Sequence, residues 1–238
     1  MCFFLCSGRS RNCPTLHRLS PSKTLRSTGA NSPRLICLLF FPPPTTGGCN
    51  LQVAFYVYSS FLASVSLLPH FFGRGDVMAL DLFTADGFFN PSTTSFTIIN
   101  SYSTKGCANN TCSVPLDIIF PSNPLPTLTL GDQNIYHPTA DPFRTFKEDE
   151  IATSTPYFNR TTDLGFSLLN TPGVFTRFSM SLIGRPGVLD LTFACPLLAQ
   201  YFTEWSDPLP ATGSDHIPIL LRFEAPLFRA PPQPRTRP

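Results

Sequence analysis

The order of apolar and polar positions along the chain predicts many short strands and few helices. Gln52–Tyr58 alternates as a half-buried strand does, and Val77–Phe83 (VMALDLF) and Phe96–Tyr102 (FTIINSY) read as two more. Between them, Asp86-Gly87 and Asn90-Pro91 are turn signals, so these two strands are expected to pair antiparallel. Leu116–Phe120 is short and apolar and opens a small element, and Thr127–Leu130 (TLTL) is a strand running straight into Gly131-Asp132. Tyr157–Leu169 is the best helix candidate, closed by Asn170-Thr171-Pro172-Gly173. Val188–Phe193 (VLDLTF) and Ile217–Phe223 (IPILLRF) complete the strands. The eighteen residues Leu51–Leu68 carry no charge and reach the lower limit for a membrane span. Gln52, four serines and the β-branched and aromatic residues at its start favour a buried strand plus a short helix. The expected fold class is α/β or α+β, built on packed mixed sheets.

Composition sharpens this picture. At 42% hydrophobic and 13% charged residues, the 238-residue chain is neither a wholly disordered polyelectrolyte nor a collagen nor a coiled coil. The net charge of +2 hides an asymmetry: Arg9, Arg11, Arg18, Lys23, Arg26, Arg34 and Arg74 precede the first acid, Asp76. Residues 1–47, rich in Ser, Arg, Pro and Cys, read as a disordered leader, 48–225 as one domain, and 226–238 as a Pro/Arg tail. Met1–Cys6 is too short an apolar run for a secretory signal, so an intracellular protein is expected. Cys107 and Cys112 are close enough to close a small loop, but ordinary thiols are the plainer reading.

Three polar groups interrupt or follow apolar strands. Asp132 and Asn134 follow TLTL and share a side if the chain stays extended, placing a carboxylate beside an amide oxygen, a hard-oxygen pair suited to Mg²⁺ or a phosphate-bound water. Asp190 lies inside an otherwise apolar strand, and Asp215-His216 directly precedes the last one. Each has a plainer reading. Gly-Asp-x-Asn is a good turn, Arg185 is near enough in sequence to pair with Asp190, Asp215 can cap a turn, and His216 can be a satisfied core histidine. Their joint occurrence at strand ends is the pattern of a site on a sheet scaffold.

The stretches Leu130–Pro142 (LGDQNIYHPTADP), Leu168–Thr176 (LLNTPGVFT), Gly184–Ala194 (GRPGVLDLTFA) and Thr212–Ile219 (TGSDHIPI), with Asn100-Ser101-Tyr102-Ser103, resemble the endonuclease/exonuclease/phosphatase superfamily. The closer likeness is to the endonuclease domain of fungal non-LTR retrotransposons, over roughly Gly48–Phe223. The resemblance implies a DNase I-like two-sheet sandwich and metal-dependent hydrolysis of the DNA phosphodiester backbone. Asp132 would activate water, Asn134 would hold that water or the phosphate, and His216, oriented by Asp190, would contact the phosphate. Tyr102 would lie near it, and Asp215 and Asp132 would serve Mg²⁺ or Mn²⁺. Overall charge does not support DNA affinity, since the domain part is acidic, and only the seven N-terminal cations and Arg144, Arg177 and Arg185 offer phosphate contacts. A monomer with no small-molecule cofactor and no membrane association is implied, nuclear if it functions. The family's opening strands carry an Asn and then a metal-binding Glu, whereas this chain has no Glu before Glu148. Truncation or degradation at the N-terminal side, with weakened activity, is therefore expected. Gln133 stands where closer relatives often have Phe. The alternatives are a phosphatase of the same superfamily and a non-catalytic membrane-associated or binding protein.

Overall fold

A computed structural model describes residues 37–40, 53–58, 64–68, 75–83, 95–103, 114–122, 126–178, 185–206 and 215–224. The turn signals at 86–91, the Cys107–Cys112 pair, most of the leader and the 226–238 tail lie outside the described residues.

Among the described residues, ten strands and three helices follow one another: β1 (Cys37–Phe40), β2 (Phe55–Tyr58), β3 (Ser64–Leu67), β4 (Val77–Phe83), β5 (Ser95–Ser101), α1 (Leu116–Ile119), β6 (Thr127–Asp132), α2 (Glu148–Asp163), β7 (Ser167–Leu168), β8 (Asp190–Ala194), α3 (Pro196–Ala199), β9 (Phe202–Ser206) and β10 (Leu220–Phe223). Six strands form a mixed sheet in the order β3-β4-β5-β6-β8-β7, in which only β5 and β6 are parallel. β1 pairs with β2, and β9 with β10, both antiparallel. The expected antiparallel pairing of β4 with β5 is present, with Val77 opposite Ser101 and Phe83 opposite Ser95.

Register assigns the faces, because residues paired across a ladder share a side of the sheet. One face carries Met78, Leu80, Leu82, Phe96, Ile98, Asn100, Leu128, Leu130 and Thr192, and ends at the facing pair Asp132 and Asp190. The β2 segment covers this face: Asn100 Nδ2 donates to Ala54 O at 3.2 Å, and Val53, Phe55 and Val57 are buried in the same core. The opposite face packs on helices. Thr129 Oγ1 donates to Ile119 O of α1 at 2.8 Å, and Phe120 meets Tyr157, Phe166 and Phe193 edge-on at centroid distances of 5.0, 5.2 and 5.5 Å.

Several elements differ from the sequence reading, among them β1, which forms within the segment expected to be disordered. Helix α2 begins at Glu148, nine residues before the expected start. Pro156 looks like a boundary but lies inside the helix, whose real start is marked by Glu148, Asp149 and Glu150, with Lys147 N–H donating to Glu150 Oε2 at 3.1 Å. Gly165, at φ +71°, ends the helical run and frees Ser167–Leu168 to join β8. Residues 64–67 form a strand where a short helix is expected, taken up by pairing with β4. The last strand begins at Leu220 rather than Ile217, because Ile217 N–H goes to Thr176 O and Pro218 has none to give. β9 (FTEWS) was not expected, since Thr203 and Glu204 break its apolar pattern. Among the described residues, no helix is long and apolar enough to cross a membrane.

Candidate functional site

Strand β6 runs two residues beyond TLTL, and this extension builds the site. Gly131 sits at φ +139°, and a Cβ there would lie 1.8 Å from Ser101 O, so only glycine lets β6 pass β5 at this point. Asp132 follows on the ladder directly opposite Asp190. Asn134 then adopts φ +50°, a left-handed conformation that asparagine tolerates better than most residues, and turns the chain away. Its N–H donates to Asp132 Oδ1 at 3.1 Å and its Nδ2 to Ser103 O at 2.8 Å. Ser103 N–H in turn bonds Asp132 O at 2.8 Å, tying the end of β5 to the end of β6.

Two carboxylates facing each other at a sheet end repel, and a histidine lies between them. His216 Nδ1 is 2.8 Å from Asp190 Oδ2, and its Nε2 is 3.7 Å from Asp132 Oδ2. The first is a hydrogen bond, with Asp190 accepting; the second is too long for one and is an electrostatic contact only. Asp132 is only 2% exposed. Burial, reinforced by the Asp190 charge and only partly offset by His216, pushes its carboxyl up to about 7. Burial disfavours the charged imidazole of His216, but the Asp190 hydrogen bond and the charges of Asp190, Asp132 and Asp215 outweigh it and raise its pKa above 6.5. Asp215, adjacent in sequence, is held by an arginine: its Oδ2 accepts from Arg177 Nε at 2.7 Å. Burial works against the Asp215 charge, yet the Arg177 hydrogen bond, His216 and the Arg177 charge win and hold it below the usual carboxylate value.

The structure thus brings Asp132, Asn134, Asp190 and His216 together from β6, the turn after it, β8 and the approach to β10. Asp190 meets His216 rather than Arg185. Tyr102 is half-buried and packs against the hydrophobic core, while its backbone N–H bonds Asp76 O at 2.8 Å. Of the three arginines, Arg177 holds Asp215, and Arg144 lies 3.6 Å over the Tyr136 ring while bonding Glu150 at 2.8 Å. Arg185 is exposed.

A metal ion asks for clustered oxygen donors. Among the described residues no group of three Asp, Glu, His or Cys side chains is placed to hold one. Asp215, the expected ligand, already shares its oxygen with a guanidinium that would repel a cation. The described residues therefore do not make the metal site that the resemblance implies.

Two residues went unassigned in the sequence, Asn170 and Thr176. Both lie in LLNTPGVFT and both grip the backbone around Asp190. The motif itself was visible, but its role depends on a register that no local pattern displays.

No protein-family model matches the sequence. No curated protein matches it either. Among solved structures, the chain is similar to the endonuclease domain of TRAS1, a telomere-specific non-LTR retrotransposon, at 14% identity and TM-score 0.58, over 79% of this chain and 80% of that one. It is similar to the AP endonuclease LMAP from Leishmania major at 16% identity and TM-score 0.55, over 79% and 70%. It also resembles the 3′ phosphatase NExo from Neisseria, solved with a product DNA hairpin, at 15% identity and TM-score 0.50, over 78% and 79%. The mixed six-stranded sheet, its accompanying strand pairs and its flanking helices give this chain a DNase I-like fold, the fold it shares with these solved nuclease and phosphatase structures.

Proposed function

We propose that the chain is a phosphodiester hydrolase of the retrotransposon-endonuclease type, acting on the DNA backbone. The observation that carries this reading is the Asp190–His216–Asp132 arrangement at one end of the sheet, in a fold shared with nucleases.

Each residue has a part in the reaction. Asp132, poised near neutrality, accepts a proton from a water held beside it, and the water oxygen attacks phosphorus. Asn134, anchored through its Nδ2 on Ser103 O, orients that water or the phosphate. His216, whose pKa the Asp190 hydrogen bond raises, donates from Nε2 to a non-bridging phosphate oxygen and stabilises the charge that develops there. The bond from phosphorus to the leaving oxygen breaks, and the leaving oxygen takes a proton from solvent. Tyr102, next to Ser103, is assigned a place near the phosphate by the family resemblance alone. Arg177 and the exposed Arg185 supply backbone phosphate contacts.

The test compares substrates. Purified protein is incubated with a labelled DNA duplex and, separately, with a DNA end carrying a terminal phosphate, in Mg²⁺ and in Mn²⁺. Internal cleavage of the duplex supports the proposal. Release of the terminal phosphate without internal cleavage favours the phosphatase reading and overturns it.

A further inference from the structure

Nothing in the site chemistry itself fixes where Asp190 stands, yet the His216 contact depends on it. β8 carries Asp190 at its first position, where the ladder to β6 has just begun and the partner strand β7 has not reached. A carboxylate at such an end, facing another carboxylate, would swing away unless its backbone were held. Two side chains from the loop after β7 hold it. Thr176 is fully buried, and its Oγ1 accepts from the N–H groups of both Leu189 and Asp190 at 2.9 Å each. Asn170, 4% exposed, donates from Nδ2 to Asp190 O at 2.9 Å and accepts from Thr192 N–H through Oδ1 at 2.8 Å, so its amide takes the place of one more residue of β7. Between them, both backbone polar groups of Asp190 are bound by side chains.

Thr176 reaches the histidine side as well. Its carbonyl accepts from Ile217 N–H at 2.8 Å, one residue beyond His216, and its own N–H bonds Gly187 O at 3.1 Å. The next residue, Arg177, pairs across to both Gly187 and His216, and Phe178 N–H bonds Asp215 O at 2.7 Å. One short segment thus contacts the strand bearing Asp190 through a side chain and the segment bearing His216, ahead of β10, through its backbone.

We infer that Thr176 and Asn170 are positioning residues that set the Asp190–His216 hydrogen bond. Thr176 is the hinge point, since it touches both sides, and its hydroxyl oxygen is the atom that matters. The consequence for catalysis rests on the hydrolase reading above; the positioning itself does not.

The experiment uses the full chain with ¹⁵N-labelled histidine. The chain has four histidines, and His216→Gln assigns the signal of His216. The wild type is expected to show a downfield, slowly exchanging Nδ1 proton on His216. Thr176→Val should lose that signal while its far-UV circular dichroism stays unchanged. Thr176→Ser, which keeps the oxygen, should restore it. A Thr176→Val protein that folds and retains the signal overturns the inference. If Thr176→Val does not fold, amide exchange in the wild type decides: the Leu189 and Asp190 amides should be as protected as those of Leu191–Ala194, and rapid exchange there overturns it. DNA cleavage is measured on the same samples. Thr176→Val should cut at least about tenfold more slowly, with Thr176→Ser near wild type. Wild-type protein that cleaves nothing while the histidine signal behaves as expected refutes the hydrolase reading and leaves the positioning intact.

Discussion

Replacing Asp132 by Asn should make the protein more stable above neutral pH while removing its hydrolytic function. Asp132 is 2% exposed, and its carboxyl is pushed from 3.8 up to about 7 by burial and by Asp190 directly opposite. The folded chain therefore resists ionising this group more than the unfolded chain does. Below pH 3.8 both states hold the proton and the penalty is absent. It grows as pH rises from 3.8, and is complete above about 7. A shift of about three pKa units corresponds to on the order of 4 kcal/mol. Asparagine keeps an oxygen for the Asn134 N–H and carries no charge to desolvate. In a domain of this size each kcal/mol moves the melting temperature by roughly 2–4 °C, so Asp132→Asn should raise it by roughly 8–16 °C at pH 8. At pH 4 the two proteins should melt nearly together. The assay is thermal unfolding of both proteins from pH 4 to pH 8. A variant that is less stable than wild type by the same amount at both ends would refute the reasoning, because the carboxylate would then be welcome where it lies. Such a conflict between stability and function is what a buried acid retained for chemistry should show.

Three further outcomes follow from named contacts. Gly131→Ala should fail to give a cooperative urea transition, because its Cβ would meet Ser101 O at 1.8 Å and its φ of +139° excludes an L side chain; a variant with wild-type stability would mean that β6 does not pass so close to β5. Gln133→Met should stabilise by about 1 kcal/mol in urea titrations, since the buried Oε1 has no hydrogen-bond partner among the described residues and the side chain has one bond, from Nε2 to Ser101 Oγ; a loss of stability would show that the oxygen is satisfied. The His216–Asp190 pair should contribute stability that is full below pH 6.5 and fades as pH rises through the raised folded value, so Asp190→Asn should cost more at pH 6 than at pH 9; an equal cost at both would contradict a charged pair.

How much of this was legible in the sequence depended on whether the information was local. Four strands of the large sheet, β4, β5, β6 and β8, were, because stretches such as VMALDLF and FTIINSY carry their own apolar pattern, and Asp132 and Asp190 lie on strands that the pattern marks; β3 and β7 were not, because they form only by pairing with β4 and β8. The start of α2 was obscured by Pro156, whose ring usually ends a helix but here follows two turns that were already formed. β9 was missed because Glu204 pairs with Arg222 on the neighbouring strand, at 2.9 Å, and a polar pair of that kind erases the alternation. The Arg177–Asp215 ion pair joins residues 38 positions apart, so no spacing rule displays it, and it is this pair that turns the expected metal ligand away from metal. The hold of Thr176 on Asp190 is non-local in the same way: it exists only once β8 and the loop after β7 lie side by side.

The most direct test of the central claim is a supercoiled-plasmid nicking assay with wild type, Asp132→Ala and His216→Ala, prepared identically and assayed in Mg²⁺, in Mn²⁺ and in excess chelator. The account predicts slow nicking by the wild type under at least one metal condition and none by either variant. Equal nicking by all three proteins, or none by the wild type in any condition, would contradict the assignment of phosphodiester hydrolysis to this site.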